Sequence, residues 1–132
     1  MNAAGDAMAV WQQSDGTRDN IWANRYTAGI GWGSAAMIET GSGAASDAQV
    51  AMSGDTAIAV WSQHDGTRIS IFSNSYRVGE GWRGSELLET DSVRNADKPR
   101  VAMDSSGNAT VVWQMYTFPG EPVYKVFMSR FS

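Results

Sequence analysis

Apolar residues occur in short runs along the chain, and segments rich in glycine and aspartate separate the runs. The most apolar runs have alanine, valine or tryptophan at most positions, and they are 7–12 (AMAVWQ), 57–62 (AIAVWS) and 109–114 (ATVVWQ). A strand that is apolar on both faces is typical of a sheet that lies between two other layers. These runs therefore predict sheets that stack face to face.

Shorter runs surround each of these strands in a fixed order. One kind of run comes before the apolar strand, at 48–52 and 99–103. A second kind follows it, at 21–26, 69–76 and 123–131, and a third kind comes last, at 35–40 and 85–90. Asp-Gly and Gly-x-Gly segments lie between the runs, and glycine supplies the positive φ that tight hairpins require. No segment has a sustained helical period. The pattern predicts an all-β chain of antiparallel strands.

This order of strands is an internal repeat. Trp11 recurs as Trp61, and the loop at 15–18 (DGTR) recurs at 65–68, both 50 residues later. A third copy follows with a different hairpin loop, and its strand at 109–114 again carries the Ala-x-x-Val-Trp pattern.

Four antiparallel strands in about 50 residues, repeated along a chain, are typical of the blades of a β-propeller. We therefore predict a single repeat array over 1–132, with about 2.5 repeats. Repeat 1 spans about 1–47 and lacks its first strand, repeat 2 spans about 48–98, and repeat 3 spans about 99–132 and lacks its last strand. A β-sandwich of ten strands is the alternative, although its topology does not require a sequence repeat at the four-strand period.

The number of repeats predicts how the chain associates. Propellers close with about four to eight blades, so 2.5 repeats cannot form a ring. We expect a homo-oligomer, most simply two chains that form a ring of about six blades. The alternative is that the chain is one part of a longer array.

The composition argues against several classes of binding partner. A net charge of −4 and a pI of about 4.8 argue against nucleic acid, because proteins that bind it neutralise phosphates with basic side chains. No apolar run approaches 18 residues, so no membrane insertion is expected. The chain has no cysteine and one histidine, His64, in a turn. We therefore expect no metal, no cofactor and no Ser-His-Asp catalysis.

The segment 9–40 resembles tandem repeats of similar length in bacterial surface, secreted and lipoprotein-like proteins of unknown activity. This resemblance covers nearly the whole chain and implies an extracellular or cell-surface location. The first eleven residues have neither the basic start nor the long apolar run of a secretory signal, so this expectation comes from the resemblance alone.

A second, weaker resemblance is carried by 21–34 (IWANRYTAGIGWGS) and 71–85 (IFSNSYRVGEGWRGS). These segments resemble the small fucose-binding propeller lectins of bacteria and fungi. That resemblance implies rings assembled from short chains, with an arginine, an acid and tryptophans holding a sugar in each cleft between blades. This chain departs from the pattern at Ser75, which stands where the first repeat has Arg25.

Eight residues are candidates for ligand binding, and each also has a structural interpretation. The tryptophans after the Gly-x-Gly turns either cap a blade or stack on a sugar ring. The arginines after the Asp-Gly turns either reach a cleft or pair with Asp15 and Asp65, and the two glutamates lie at strand ends where exposure to solvent is the default. The candidates are Trp32, Trp82, Arg18, Arg68, Arg25, Arg130, Glu39 and Glu89. By contrast, Trp11, Trp61 and Trp113 are expected in the core.

Two functions remain open from the sequence. One is a non-catalytic propeller module that recognises carbohydrate in clefts between blades. The other is a structural or protein-interaction module without a small-molecule site. An enzyme is not expected, because no pair of acids stands out in unlike environments.

Overall fold

The computed structural model of the protein describes residues 1–89, 94–117 and 123–131, with side chains described for 1–89 and 94–115. All regular structure in these residues is β-strand, which confirms the predicted all-β fold class. The strands are β1 (Ala7–Ser14), β2 (Asp19–Thr27), β3 (Gly31–Trp32), β4 (Ala36–Met37), β5 (Ala45–Ser53), β6 (Thr56–His64), β7 (Ile69–Arg77), β8 (Gly81–Trp82), β9 (Glu86–Leu87), β10 (Ala96–Met103), β11 (Ala109–Thr117) and β12 (Val123–Phe131). The described part of the chain has no helix long and apolar enough to cross a membrane.

The strands form three antiparallel sheets in chain order. The first sheet contains β1 to β4, the middle sheet β5 to β9 and the third sheet β10 to β12. In each sheet the long strands pair with the next long strand in antiparallel fashion, as expected for meanders.

The outer strand of the first sheet is interrupted. β3 pairs with one end of β2, where Trp32 lies opposite Tyr26, and β4 pairs with the same edge further along, where Met37 lies opposite Trp22. β8 and β9 repeat this arrangement on β7. Each Gly-Trp pair, which the sequence placed at a turn, begins the fourth strand of its sheet. The turn before it is already closed by a backbone hydrogen bond: Ile30 N–H donates to the Thr27 carbonyl in the first sheet, and Glu80 N–H donates to the Arg77 carbonyl in the middle sheet (both 3.0 Å).

Two apolar cores hold the three sheets together. Along β6, Ala57, Ala59 and Trp61 belong to the core shared with the first sheet, whereas Ile58 and Val60 belong to the core shared with the third sheet. Alternate side chains of a strand point to opposite faces, so a middle sheet that is covered on both faces requires apolar residues at every position. This explains the continuous apolar run.

A β-bulge recurs at the start of the middle and third sheets. The pairing register shifts between Ser46 and Gln49 and again between Asp97 and Arg100. The bulged residues Asp47 and Lys98 have positive φ values of 55° and 50°. The bulge bends the strand that enters each new sheet.

Candidate functional site

The β1–β2 and β6–β7 hairpins are built by the repeated Asp-Gly turn. Asp15 Oδ1 accepts hydrogen bonds from the N–H groups of Thr17 (2.8 Å) and Arg18 (3.0 Å), and Gly16 takes a φ of 96°. These bonds, above all the one from Arg18, lower the pKa of Asp15 to about 2, because they stabilise the carboxylate form.

The second hairpin copies the first. Asp65 accepts from the N–H groups of Arg68 and Thr67, and its pKa is also lowered to about 2, with the Arg68 bond as the main cause. His64 Nδ1 accepts from Gly66 N–H (3.1 Å), as the hydroxyl of Ser14 does in the first hairpin. His64 was predicted as a surface turn residue; it is exposed, but it is the last residue of β6, and its ring bonds the turn that follows.

The arginine that follows each turn pairs with a buried glutamate of its own sheet. Arg18 Nη1 lies 2.9 Å from Glu39 Oε1, and Arg68 Nη2 lies 3.0 Å from Glu89 Oε1. Both glutamates are only 2% exposed, so the expectation of solvated strand ends is wrong for them. Arg68 also reaches Asp65 (2.8 Å), whereas Asp15 receives the backbone N–H of Arg18 and not its guanidinium.

A glutamine connects the first of these ion pairs to the next sheet. Gln63 Nε2 donates to Glu39 Oε2 (2.7 Å) and to the Gly43 carbonyl (3.0 Å), while its Oε1 accepts from Trp61 Nε1 (2.9 Å). Arg18 Nη1 donates to the same Gly43 carbonyl (2.9 Å). Gln63 was not among the residues predicted from the sequence, although the repeated Trp-x-Gln at 11–13 and 61–63 was a signal for it.

Four of the eight candidate residues take part in ion pairs inside the sheets. Arg18 and Glu39 lie at the joint between the first and middle sheets, and Arg68 and Glu89 hold the equivalent position in the middle sheet. Removing one partner from such a buried pair leaves an uncompensated charge. These residues therefore hold sheets in place, whatever else they do.

A separate cleft of about 280 Å³ opens between the first and middle sheets. Trp82 and Tyr76 form its wall on the middle sheet, with ring centroids 5.4 Å apart. The wall on the first sheet is mixed polar and apolar, and it consists of Met8, Ala23, Asn24, Arg25, Thr27, Gly33, Ser34 and Ala36. The cleft brings together two sequence candidates, Trp82 and Arg25.

Arg25 is held in place by Asp6. Its Nη2 lies 2.7 Å from Asp6 Oδ2, and its Nη1 donates to Thr27 Oγ1 (3.1 Å). Asp6 also accepts the N–H of Ala28 (2.8 Å), which is the main reason that the pKa of this carboxyl lies below its usual range. The guanidinium at the cleft wall is therefore charged and oriented.

Two buried polar atoms at this wall have no hydrogen-bond partner among the described residues. They are Arg25 Nε and Asn24 Oδ1. In the middle sheet the equivalent Asn74 Oδ1 accepts from Gly84 N–H (2.9 Å). Buried polar groups are normally paired, so these two atoms are exceptions among the described residues. Adjacent residues of a strand point to opposite faces, so only Arg25 lies on the face of the middle sheet, as Ile21 and Ala23 do.

The other two candidates lie away from this cleft. Trp32 is 58% exposed on the outer face of the first sheet and meets Tyr26 edge to face, with centroids 5.5 Å apart. Arg130 lies in β12 opposite Thr110, the position that corresponds to Arg25 opposite Met8. The side chain of Arg130 lies outside the described residues.

A second cleft, of about 380 Å³, lies between the middle and third sheets. Its wall includes Arg77, Arg83 and Ser75 of the middle sheet, with Ser106 and Gly107 facing them. Arg83 pairs at the surface with Glu80 (3.0 Å). This cleft is more cationic than the first and has no tryptophan among its described lining residues.

No group of three or more histidine, cysteine, aspartate or glutamate side chains is placed to hold a metal ion within the described part of the chain. Tyrosine, arginine and serine are common to the described linings of both clefts.

Comparison with known proteins identifies the fold class. No protein-family model matches the sequence, and no curated protein matches it. Among solved structures, the chain is similar to an endo-arabinase of Bacteroides thetaiotaomicron, a β-propeller protein, with a TM-score of 0.53 and 14% identity. The match covers 96% of this chain and 51% of the enzyme, so this chain spans about half the length of that neighbour. The protein therefore has an all-β, β-propeller-like fold.

Proposed function

We propose that this chain is a non-catalytic propeller module that binds carbohydrate in the cleft between its first and middle sheets. The observation that carries the proposal is the composition of that cleft: the indole of Trp82 lies on one wall, and Arg25 and Thr27 of the first sheet line the opposite wall. An aromatic ring offers an apolar surface with a defined geometry, and sugar rings present C–H faces that match it. Fixed polar groups opposite the ring would orient the hydroxyls.

An unpaired atom of the first sheet supports this assignment. Arg25 Nε is a donor without a partner among the described residues, and sugar hydroxyls accept hydrogen bonds. A shallow cleft of this size suits one or two sugar units, so we expect a Kd on the order of 1 mM for a single site.

The absence of acids from this cleft favours binding over hydrolysis. Most glycoside hydrolases need two carboxyl groups across the scissile bond, and no acid is among the described residues that line the cleft. The structural neighbour is named an endo-arabinase, which makes arabino-oligosaccharides the first ligands to try.

The alternative is a structural or protein-interaction module. It is favoured by the ion pairs that engage Arg18, Arg68, Glu39 and Glu89 inside the sheets. In that case Trp82 only caps the first core, against which it packs.

The variant Trp82→Ala separates the two functions. Binding of a neutral oligosaccharide panel that includes arabino-oligosaccharides is measured by glycan array and by titration calorimetry, and thermal unfolding is measured in parallel. We expect the Kd to rise at least about 10-fold while the unfolding transition falls by only a few degrees, because the Trp82 ring is partly exposed at the cleft.

The matched control is Arg83→Ala, which alters the second cleft and should leave sugar affinity unchanged. Absence of binding by the unmodified chain at 10 millimolar sugar (about ten times the expected Kd) would remove the proposal. A large loss of stability in Trp82→Ala without any binding activity to lose would favour the structural module.

A further inference from the structure

The outer face of the first sheet repeats the face that the middle sheet presents to its neighbour. Across the first sheet, Trp11 lies opposite Trp22, and Trp22 lies opposite Met37. Across the middle sheet the corresponding row is Trp61, Phe72 and Leu87. The two rows occupy the same register of the repeat.

These two rows differ in what covers them. Trp61 is 0% exposed, because Trp61 and Phe72 pack against the first sheet. Trp11 keeps part of its surface accessible and Trp32 is 58% exposed, whereas its counterpart Trp82 packs against the first core. The ends of the two rows, Met37 (48%) and Leu87 (50%), are exposed alike. In the described part of the chain, no sheet packs over the aromatic row of the first sheet that corresponds to the covered row of the middle sheet.

The surface that covers such a row is also present in the chain. Met8 and Val10 of β1 belong to the core around Trp61, and Ile58 and Val60 of β6 belong to the core around Trp113. At both contacts between sheets, the same two positions of the preceding sheet therefore pack against the core tryptophan of the next sheet.

The third sheet carries a further copy of this covering surface. In β11, Ala109, Val111 and Trp113 face the middle sheet, so the alternate residues Thr110 and Val112 face the other way. They are the repeat equivalents of Met8 and Val10, and both keep part of their surface accessible.

We infer that a second copy of this chain docks the outer face of its third sheet onto the outer face of the first sheet. The contact is heterologous, since the two faces differ, and two such contacts related by a two-fold axis close a ring of six sheets. We assign the docked partner as a second copy of this chain. Thr110 and Val112 of the third sheet occupy the same repeat positions as the residues of β1 and β6 that cover a core tryptophan within the chain.

If the proposed sugar binding holds, docking of a second copy creates further binding clefts. Trp32 and Tyr26 would face the third sheet of the docked copy as Trp82 and Tyr76 face the first sheet. Each junction between copies would then form a further cleft with an aromatic wall, and several weak sites on one ring raise avidity.

The test is the mass in solution, which needs no ligand and so is independent of the sugar-binding proposal. Light scattering over a range of concentrations is applied to the unmodified chain, to Trp22→Arg on one face and to Val112→Glu on the other, with Ile30→Lys as the control at an exposed turn. We expect the unmodified chain and the control to have about twice the 14.3 kDa mass of one chain, and each face variant to have the mass of one chain.

Mixing the two face variants tests the pairing of unlike faces. Each variant retains one intact face, and the intact faces are complementary, so an equimolar mixture should recover the dimer mass. A monomeric unmodified chain would overturn the inference and leave the row to another segment or partner. A Val112→Glu variant that stays dimeric would also overturn it, because the first sheet would then pair with itself.

Cross-linking covers the case in which a face variant does not fold. The chain has no cysteine, so Met37→Cys and Val112→Cys each introduce one thiol without adding a charge. A short bifunctional maleimide should join the two different variants in a mixture at least about 10-fold more than either variant alone. Equal cross-linking in all three samples would contradict a heterologous contact.

Discussion

At the scale of single residues, the linker between the first two sheets is constrained at Gly43. Its carbonyl accepts hydrogen bonds from Arg18 and Gln63, and a Cβ at this position would overlap the backbone carbonyl of His64. The neighbouring Ala44 carbonyl accepts from His64 N–H (3.1 Å). The linker is therefore held against the end of β6, with room only for glycine.

Gly43→Ala should destabilise the protein by about 3 kcal/mol, because overlap with backbone atoms forces the linker away from its hydrogen-bond partners. Urea denaturation followed by tryptophan fluorescence measures the change. Gly33→Ala is the matched control: its Cβ would lie 3.4 Å from Asn24 Oδ1, and we expect a change of less than about 1 kcal/mol. Equal effects of the two substitutions would show that the linker is not constrained in this way.

At the scale of elements, the two Asp-Gly hairpins have the same turn structure and the same hydrogen bonds. Each aspartate accepts two backbone N–H groups of its own turn, and the negative charge strengthens both bonds. The two hairpins also place Arg18 and Arg68 against Glu39 and Glu89, which lie two residues after β4 and β9. Local turn chemistry thus positions the longer-range ion pairs.

The hairpins predict a loss of stability in acid. The pKa values of Asp15 and Asp65 are about 2 in the folded chain and about 3.9 in an unfolded one. A depressed pKa stabilises the fold above pH 4, and that contribution is lost as the pH falls from 4 to 2. The melting temperature of the unmodified chain should therefore fall over this range.

The double variant Asp15→Asn, Asp65→Asn should melt at a lower temperature at pH 6, and its difference from the unmodified chain should shrink by pH 2. Circular dichroism melts between pH 2 and 6 measure this. Asp55→Asn, at an exposed turn, is the control and should follow the unmodified chain. An undiminished difference at pH 2 would contradict the assignment.

At the scale of the whole molecule, the sheets are joined by two kinds of contact. Apolar cores fill the space between sheets, and the polar network of Glu39, Gln63 and Trp61 fixes one edge of the first joint. At the position that corresponds to Gln63, the third sheet has Met115, which is 2% exposed. The two joints therefore use different chemistry at the same place.

Gln63→Met should cost about 1–3 kcal/mol, because Glu39 and Trp61 each lose a buried hydrogen-bond partner while the side-chain volume is nearly unchanged. Gln13→Met is the matched control, since Gln13 is exposed and bonds only Trp11 Nε1 (2.9 Å) among the described contacts. We expect the control to change the free energy of unfolding by less than about 1 kcal/mol. A neutral Gln63→Met would mean that the apolar core alone sets the joint.

The local features of the fold were predictable because they depend on neighbours in sequence. Asp-Gly turns, the alternation along β6 and the strand order all follow from residues within one repeat. The buried state of Glu39 was not predictable, because its partners Arg18 and Gln63 lie 21 and 24 positions away. No local pattern distinguishes a glutamate at a solvated strand end from one covered by the next sheet.

The repeats and turn motifs are enough to recognise this protein as an all-β stack of one repeated unit. The role of each copy of a residue depends on its contacts across the sheets. Trp32 and Trp82 each follow a Gly-x-Gly segment, yet one is exposed and the other packs beside a cleft. The physical reason is that turns and strands are set by the nearest residues, whereas burial depends on which sheet lies across the interface.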